Sequence, residues 1–513
     1  MTSAAPPSRG ANPFPTSGVA RDAEGVLRYT GLARSVPELL RASVARDPGA
    51  EALAVVGGER LTYAELWDRA AHVAGGLRAA GIAPGDRVAI RLPNGAEWVL
   101  AFLGSMLAGA VPVPVNTRFT EAEAAYVVED SGAAYVFAPG DALPGGPPVE
   151  PGEDAAGGAD LAAIFYTSGT TGVPKGAMQT HENLLGNAET ALRVMDVPDG
   201  IGRELRTLIV VPLFHVTGCH SQLLVALQAG GTAVVDVAFD GPRMLETLRD
   251  EQITSCVAVP AIYHYILHHP AFDPAAVDHV RWASYGGAPI SPTLVGQIQK
   301  GFRRARVGNG FGQTESTSIS TFLPHEWAGE HADSVGFPAP HTEVMVADPD
   351  PDTGVGELLI RGGGVCAGYW GKPRETAETV ADGWLHTGDL GRIDEHGLVY
   401  VMDRIKDMIN RGGENVYSVE VENGLVGAPG VGEVAVVGVP DEMMGEKVGA
   451  VLVPLPGATL DVDAVLAHGR ERLADFKLPQ YVAVRDAPLP RNPNGKVLKA
   501  SLRDETDWGA PRR

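Results

Sequence analysis

The segment YTSGTTGVPKG at 166–176 sets Thr167, Ser168, Thr170 and Thr171 around Gly169 and Gly172 and follows them with Lys175. Small residues let a backbone come close to phosphate oxygens, hydroxyl and N–H groups donate hydrogen bonds, and an ammonium offsets charge. The composition therefore suits a polyphosphate. It is not the P-loop pattern GxxxxGK[ST], because Pro174 stands before Lys175 where that loop requires glycine. Other reactive or charged residues sit in similar small-residue surroundings. They are His215 in PLFHVTG at 212–218, Glu315 in GFGQTES at 310–316, Asp389 in GWLHTGD at 383–389 and Lys496 in LPRNPNGKVLK at 489–499.

These residues need elements to hold them. An apolar run at 161–166 leads into the first segment as a buried strand. Upstream, Thr62 with Glu65 and Thr120 with Glu123 have capping-box spacing and open helices. Runs at 87–92, 111–115 and 133–138 read as strands, 97–107 as an apolar helix, and the Gly/Pro-rich stretch 139–160 as a loop. Downstream, strands at 208–211, 232–237, 253–259, 280–285 and 306–308 alternate with helices at 241–250 and 292–302. Such repetition predicts the α/β class, with mostly parallel sheets covered by helices. Ligands of these folds bind outside the carboxyl ends of the strands. YTSGTTG, YGGAP at 285–289 and NGFGQTE at 309–315 each follow an expected strand, which lets them meet at one crevice. Beyond 333, short strands between Gly, Pro and Asp turns make a β-rich part. Beyond 403 a smaller α+β region carries helices at 416–426 and 463–473 and strands at 434–439 and 448–453.

A chain of 513 residues exceeds one ordinary core and implies at least two domains. A formal net charge of -22 argues against a general nucleic-acid binder. Cys219, Cys256 and Cys366 are too far apart for a metal motif or a disulfide framework, which fits a reducing cytoplasm. No apolar run has the length of a transmembrane helix. The Pro, Ser and Ala-rich opening makes 1–30 a flexible tail and not a signal peptide.

Read in order, YTSGTTGVPKG, PLFHVTG, YGGAP, GFGQTES, GWLHTGD, DRIKDMINRGGENVYSVEVE at 403–422 and LPRNPNGKVLK resemble the adenylate-forming superfamily. That superfamily holds acyl-CoA synthetases, peptide-synthetase adenylation domains and luciferases. The resemblance runs from about Ser35 to Leu502. It implies a large N-terminal domain at 31–403 with the ATP and acyl sites, a hinge at 404–407 and a small mobile lid at 408–513. It also implies two half-reactions. A carboxylate attacks the α-phosphate of ATP to give acyl-AMP and pyrophosphate, and a thiol then takes the acyl group and releases AMP. Between them the lid rotates.

The resemblance assigns roles residue by residue. Thr167, Ser168, Gly169, Thr170, Thr171, Gly172 and Lys175 match the loop on the β- and γ-phosphates, with Thr170 among the catalytic set. Gly287, Ala288, Pro289, Asn309, Gly310, Phe311, Gly312, Gln313 and Thr314 match the nucleotide site, where Phe311 stacks on adenine and Thr314 touches phosphate. Glu315 helps hold Mg²⁺, a hard cation that prefers carboxylate oxygens. Asp389 accepts from the ribose hydroxyls, Arg404 reaches ribose or phosphate, and Lys406 falls at the hinge. Lys496 is the catalytic ammonium between carboxylate and α-phosphate, whereas Lys499 has no matching role and reads as solvated. Gly412 and Gly413 line the pantetheine path, and Lys447 and Lys477 belong to a basic cluster for the 3′-phosphate of CoA. His215 lies beside the acyl carboxylate, where amino-acid-activating domains typically carry Asp. Val216, Cys219, Val259, Tyr263 and Gly286 line an acyl pocket or pack the core. Three residues depart from the pattern: Gly363 and Ser418 replace prolines, and Asp403 replaces a glycine.

The implied protein is an acid–thiol ligase dependent on ATP and Mg²⁺, an acyl-CoA synthetase for a medium or long aliphatic or an aryl acid, as a monomer or homodimer. The alternatives are transfer to the phosphopantetheine of an acyl carrier protein and, from another class, a nucleotide-binding regulator that does not turn over.

Overall fold

The computed structural model describes residues 12–149, 156–167, 173–288, 290–492 and 495–512. They divide into two compact units. The first comprises Met1–Met345, Leu359–Thr387 and Ile393–Val399, and the second Val346–Leu358, Gly388–Arg392 and Tyr400–Arg513.

In the first unit a nine-stranded sheet runs in the order Phe337–Pro338, Thr321–Leu323, Arg306–Phe311, Trp282–Gly286, Ser255–Ala258, Arg206–Ile209, Thr232–Val235, Glu51–Val55 and Arg60–Thr62. Its central strands are parallel and its margins antiparallel. The parallel strands are mostly buried along their length, as their β-branched and small apolar sequences require. Helices connect them. In Gly241–Asp250 the Asp240 carboxylate accepts from the Arg243 N–H, and Met244, Thr247 and Leu248 make the buried stripe at helical spacing. The Thr62–Glu65 and Thr120–Glu123 capping boxes both form. A parallel three-stranded sheet joins Val111–Pro114, Arg87–Ile90 and Ala133–Phe137.

Leu161–Thr167 pairs antiparallel with Lys175–Thr180, so the strands flanking the glycine-rich segment form a hairpin. One expectation about this unit is corrected: the whole of 1–30 is not a tail. Val19–Arg21 and Leu27–Tyr29 form a hairpin, Phe14 is buried, and Arg21 pairs with Glu343. The tie is partly a backbone one, since the N–H of Gly363 donates to the Leu27 carbonyl at 2.9 Å. Proline has no such N–H.

The second unit holds a five-stranded sheet of Glu414–Val416, Ile409–Arg411, Gly445–Pro454, Val431–Asp441 and Tyr481–Val484. Val421, Leu425, Val436, Val448, Val465 and Leu478 fill one core cluster, and Val437, Val439, Val451 and Leu502 fill another. Alternate residues of each long strand serve the two clusters. Lys499 is not solvated. Its side chain is 16% exposed, pairs with Glu422 at 2.7 Å and donates to the Ser418 hydroxyl at 2.6 Å. Burial raises the pKa of both Glu422 and Asp403, and Lys499 opposes that rise.

Asp403 and Ser418 compensate each other. The buried Asp403 carboxylate accepts from the N–H of Ser418 and, at 2.8 Å, from that of Arg404. Ser418 is the first residue of the helix Ser418–Leu425, where proline fits the backbone well. Ser418→Pro therefore removes the N–H donor to Asp403 and the hydroxyl that accepts from Lys499, with little helix strain. We expect it to lower stability by about 1–3 kcal/mol, and Asp403→Gly in the same background to recover the part of the loss that comes from the unpaired Asp403 carboxylate. Thermal melts of the three variants check this, and an unchanged melting temperature for Ser418→Pro contradicts it.

Candidate active site

Thr167 and Lys175 are cross-strand partners at the hairpin tip. Glu315 lies against Thr167, its Oε1 at 3.5 Å from the Thr167 hydroxyl. The preceding Thr314 is fixed through its carbonyl, which accepts from Gln179 Nε2 at 2.8 Å. Gln179 belongs to the same hairpin, so the strands carrying the loop also hold the GQTE element.

The segment at 366–372, which follows a turn past Gly363, straps this corner together. Ala367 donates to the Met178 carbonyl, Met178 to that of Gly368, and Trp370 to that of Gly176, each at 2.8 Å. Cys366 donates its N–H to the Glu315 carbonyl at 2.8 Å. The Tyr369 hydroxyl donates to Glu315 Oε1 at 2.7 Å, and the Lys175 ammonium stands 5.2 Å from the centre of the Tyr369 ring. Burial, and then the Glu315 charge, push the Tyr369 hydroxyl well above its usual pKa, so it remains a donor. Next to it, Lys372 and Tyr166 both donate to Asp130 at 2.8 Å. Burial works to raise the Asp130 pKa, but the Lys372 ammonium and the Tyr166 and Tyr126 hydroxyls hold it below the usual range. Sequence reasoning missed Tyr369, Lys372 and Asp130. No local spacing in GYWGK at 368–372 marked Tyr369 or Lys372.

The residues expected at the nucleotide site lie on and just beyond neighbouring strands. Trp282–Gly286 and Arg306–Phe311 pair in parallel, with Gly286 opposite Gly310. The strand continues through Asn309, Gly310 and Phe311, which the sequence placed in a loop. Gly287 and Ala288 are exposed beyond the first strand, Phe311 is half-buried, and Asn309 is buried with its amide 3.3 Å from the Ser334 carbonyl. Gly312 leads to Gln313, which donates to the Thr387 carbonyl at 2.9 Å. Ser168, Gly169, Thr170, Thr171, Gly172 and Pro289 lie outside the described residues.

His215 is the half-buried residue before the short helix Val216–Gly218, which passes into a π-helical turn at Cys219–Leu224. Val216 and Cys219 are buried, Val259 is half-buried, and burial raises the Cys219 thiol pKa well above its ordinary value. Tyr263 is fully buried with its hydroxyl 3.0 Å from the Cys256 and Ser284 carbonyls, an arrangement that packs the sheet.

The second unit carries the remaining residues. Asp389, 3% exposed, pairs with Arg404 Nε at 2.7 Å, and the Ile405 N–H donates to the Gly388 carbonyl at 3.0 Å. These bonds group 388–392 with the residues after Tyr400. Lys406 is exposed. Gly412 and Gly413 take φ of +62° and +94°, and a Cβ at Gly413 would meet open space. Lys447 pairs with Asp441 at 2.8 Å and Lys477 with Glu420 at 2.6 Å, so each ammonium already has a carboxylate. Lys496 is exposed in a turn where its N–H donates to Asn492 Oδ1 at 3.0 Å.

Among the described residues no group of three or more His, Cys, Asp or Glu could hold a metal, and no helix is long and apolar enough to cross a membrane. One half-buried carboxylate beside a hydroxyl and a phosphate-type loop nevertheless fits Mg²⁺, which takes one or two carboxylates and completes its shell with waters and substrate phosphates.

Comparison with known proteins identifies the family. The AMP-binding enzyme family matches residues 40–157 and 141–370, and the AMP-binding enzyme C-terminal domain matches 420–496. A feruloyl-CoA synthase of Amycolatopsis is 39% identical over 470 residues, covering 87% of this chain and 94% of its own length. The fatty acid–[acyl-carrier-protein] ligase ScoC of Streptomyces coeruleorubidus is 36% identical over 488 residues, covering 88% of this chain and 92% of its own. The o-succinylbenzoate CoA synthetase of Bacillus subtilis, solved with its acyl-adenylate intermediate, superimposes with a TM-score of 0.83 at 29% identity, covering 92% of this chain and 99% of that one. Its complex with ATP and magnesium gives 0.82 at 30% identity over 91% and 99%. The chain belongs to the AMP-binding enzymes, as an adenylate-forming acid–thiol ligase.

A local test follows from the strand pair at the nucleotide site. A Cβ on Gly286 would stand 2.3 Å from the Gly310 carbonyl oxygen, whereas at Gly296, inside the helix Pro292–Gly301, it would meet nothing within 4 Å. Gly286→Ala must open the ladder and is expected to destabilise by about 2 kcal/mol or more. Gly296→Ala is expected to stabilise by about 0.5–1 kcal/mol. Denaturant melts check both, and equal stabilities contradict the close approach.

Proposed function

We propose that this enzyme activates an aliphatic or aryl carboxylic acid with ATP and passes the acyl group to the thiol of CoA. The observation that carries the reading is the meeting of Thr167, Lys175 and Glu315 at one corner of an AMP-binding enzyme. In the first half-reaction a carboxylate oxygen attacks the α-phosphorus and pyrophosphate leaves. Lys175, Thr167 and the loop hydroxyls would hold the β- and γ-phosphates, Glu315 would help hold Mg²⁺, and Phe311 would stack on the base with Asn309 nearby. When bound, Mg²⁺ neutralises phosphate charge. Asp389 fixes the ribose, with Arg404 holding the Asp389 carboxylate in orientation. Lys496 supplies an ammonium to the charge that builds between carboxylate and α-phosphate.

In the second half-reaction the thiol sulfur attacks the acyl carbon, AMP leaves, and the thiol proton goes to solvent. Residues 404–407, with exposed Lys406, act as the hinge, and 408–513 as the lid. Gly413 keeps the pantetheine path open. His215, in place of an acidic partner for an ammonium, favours acids without an α-amine. Val216 and Cys219 supply apolar surface near it.

A second reading places the thiol on a carrier protein. The similarity to the ScoC ligase supports it, and so does the pairing of Lys447 and Lys477 with carboxylates, which leaves these two without a free charge for a 3′-phosphate.

The two half-reactions are tested separately. Lys496→Ala is expected to slow acyl-AMP formation by about 10²–10³. Given synthetic acyl-AMP and thiol, it should make thioester at close to the parent rate. Gly413→Leu should release pyrophosphate and accumulate adenylate but make little thioester. Both half-reactions are measured on both variants, with circular dichroism to confirm folding. Equal loss of both halves in folded Lys496→Ala contradicts the division of labour.

A further inference from the structure

We propose that Tyr369 is a positioning residue that ties the metal-side carboxylate of Glu315 to the phosphate-side ammonium of Lys175. The proposal rests on the roles given to Glu315 and Lys175 above.

One side chain serves both charged groups. The Tyr369 hydroxyl donates to Glu315 Oε1 at 2.7 Å, and its ring lies 5.2 Å below the Lys175 ammonium. The face of an aromatic ring attracts a cation, and a phenol donates well to a carboxylate. Both Tyr369 and the more distant Thr167 hydroxyl address Oε1, so Oε2 accepts from neither. A carboxylate held by one oxygen presents the other in a fixed direction, which is how outer partners tune a metal ligand.

The ring has little freedom to turn elsewhere. Tyr369 is 8% exposed and packs with Ala177 and Cys366. Its backbone bridges Ala177, and its N–H donates to the Thr376 hydroxyl at 2.9 Å. The flanking Ala367 and Trp370 are bonded to the hairpin strand Lys175–Thr180, and Lys372 is anchored on Asp130. The register of the strap therefore sets the ring, and the ring sets the carboxylate and the ammonium together.

Tyr369→Phe keeps the ring and removes only the hydroxyl. Losing a hydrogen bond to a charged group corresponds to about tenfold. We expect half-saturation by Mg²⁺ in acid-dependent ATP–pyrophosphate exchange to rise by about that factor, with the KM for the acid unchanged. Mn²⁺ affinity of the enzyme–ATP complex, read by electron paramagnetic resonance and independent of turnover, should fall in parallel. Tyr369→Leu should add a rise in the KM for ATP, because Lys175 also loses its platform. In a Glu315→Gln background, Tyr369→Phe should cost no further metal affinity. Parent-like Mn²⁺ affinity in Tyr369→Phe overturns the proposal, as does a full additional loss on top of Glu315→Gln. So does a uniform fall in kcat tracking a lowered melting temperature. If the parent itself shows no acid-dependent exchange, the functional reading fails instead, and the Mn²⁺ titration alone still decides whether Tyr369 positions Glu315.

Discussion

The glycine-rich loop depends on how firmly its two ends are held. A tip able to wrap a polyphosphate needs backbone freedom, and that freedom is useful only if the anchors do not move. Here the anchors are hydrogen bonds. The hairpin register sets Thr167 opposite Lys175, the strap at 366–372 adds backbone pairing along the second strand, and Glu315 meets both through hydroxyls. Asp130 closes the far side by accepting from Tyr166, just before the loop, and from Lys372, at the end of the strap. Removing any of these partners leaves a buried or half-buried charge with fewer donors, the costly direction of a hydrogen-bond change.

Backbone N–H groups explain two of the three departures from the resemblance. Gly363 and Ser418 stand where proline is usual, and each spends the recovered N–H: the first on the Leu27 carbonyl of the N-terminal hairpin, the second on Asp403. Asp403, the third departure, is the acceptor that the second one serves. The substitutions are therefore paired with contacts, and they alter how segments are tied.

Much was legible before the structure. Both capping boxes, the alternation that builds the parallel strands, and the separate C-terminal α+β region follow from local patterns, and local patterns decide them. The ordered motifs gave the family. What failed was pairing over distance. The strand at 161–166 was expected, but its pairing with Lys175–Thr180 was not, because a buried strand needs only a short apolar run and that run does not name its partner. The N-terminal hairpin was lost for the same reason, since its two strands of three residues each are stabilised by contacts with Glu343 and Gly363 far along the chain. Lys499 was read as solvated because its partners, Glu422 and Ser418, are remote in sequence. Tyr369 resembles a core tyrosine until its hydroxyl is seen against Glu315.

The central claim is that this chain forms an acyl-adenylate before any thiol is needed. Exchange of labelled pyrophosphate into ATP, measured in the absence of CoA and carrier protein across a panel of carboxylic acids, tests it most directly. The account predicts Mg²⁺-dependent exchange with at least one aliphatic or aryl acid and none without an acid. No exchange with any acid, or ATP hydrolysis to ADP and phosphate in its place, would contradict it.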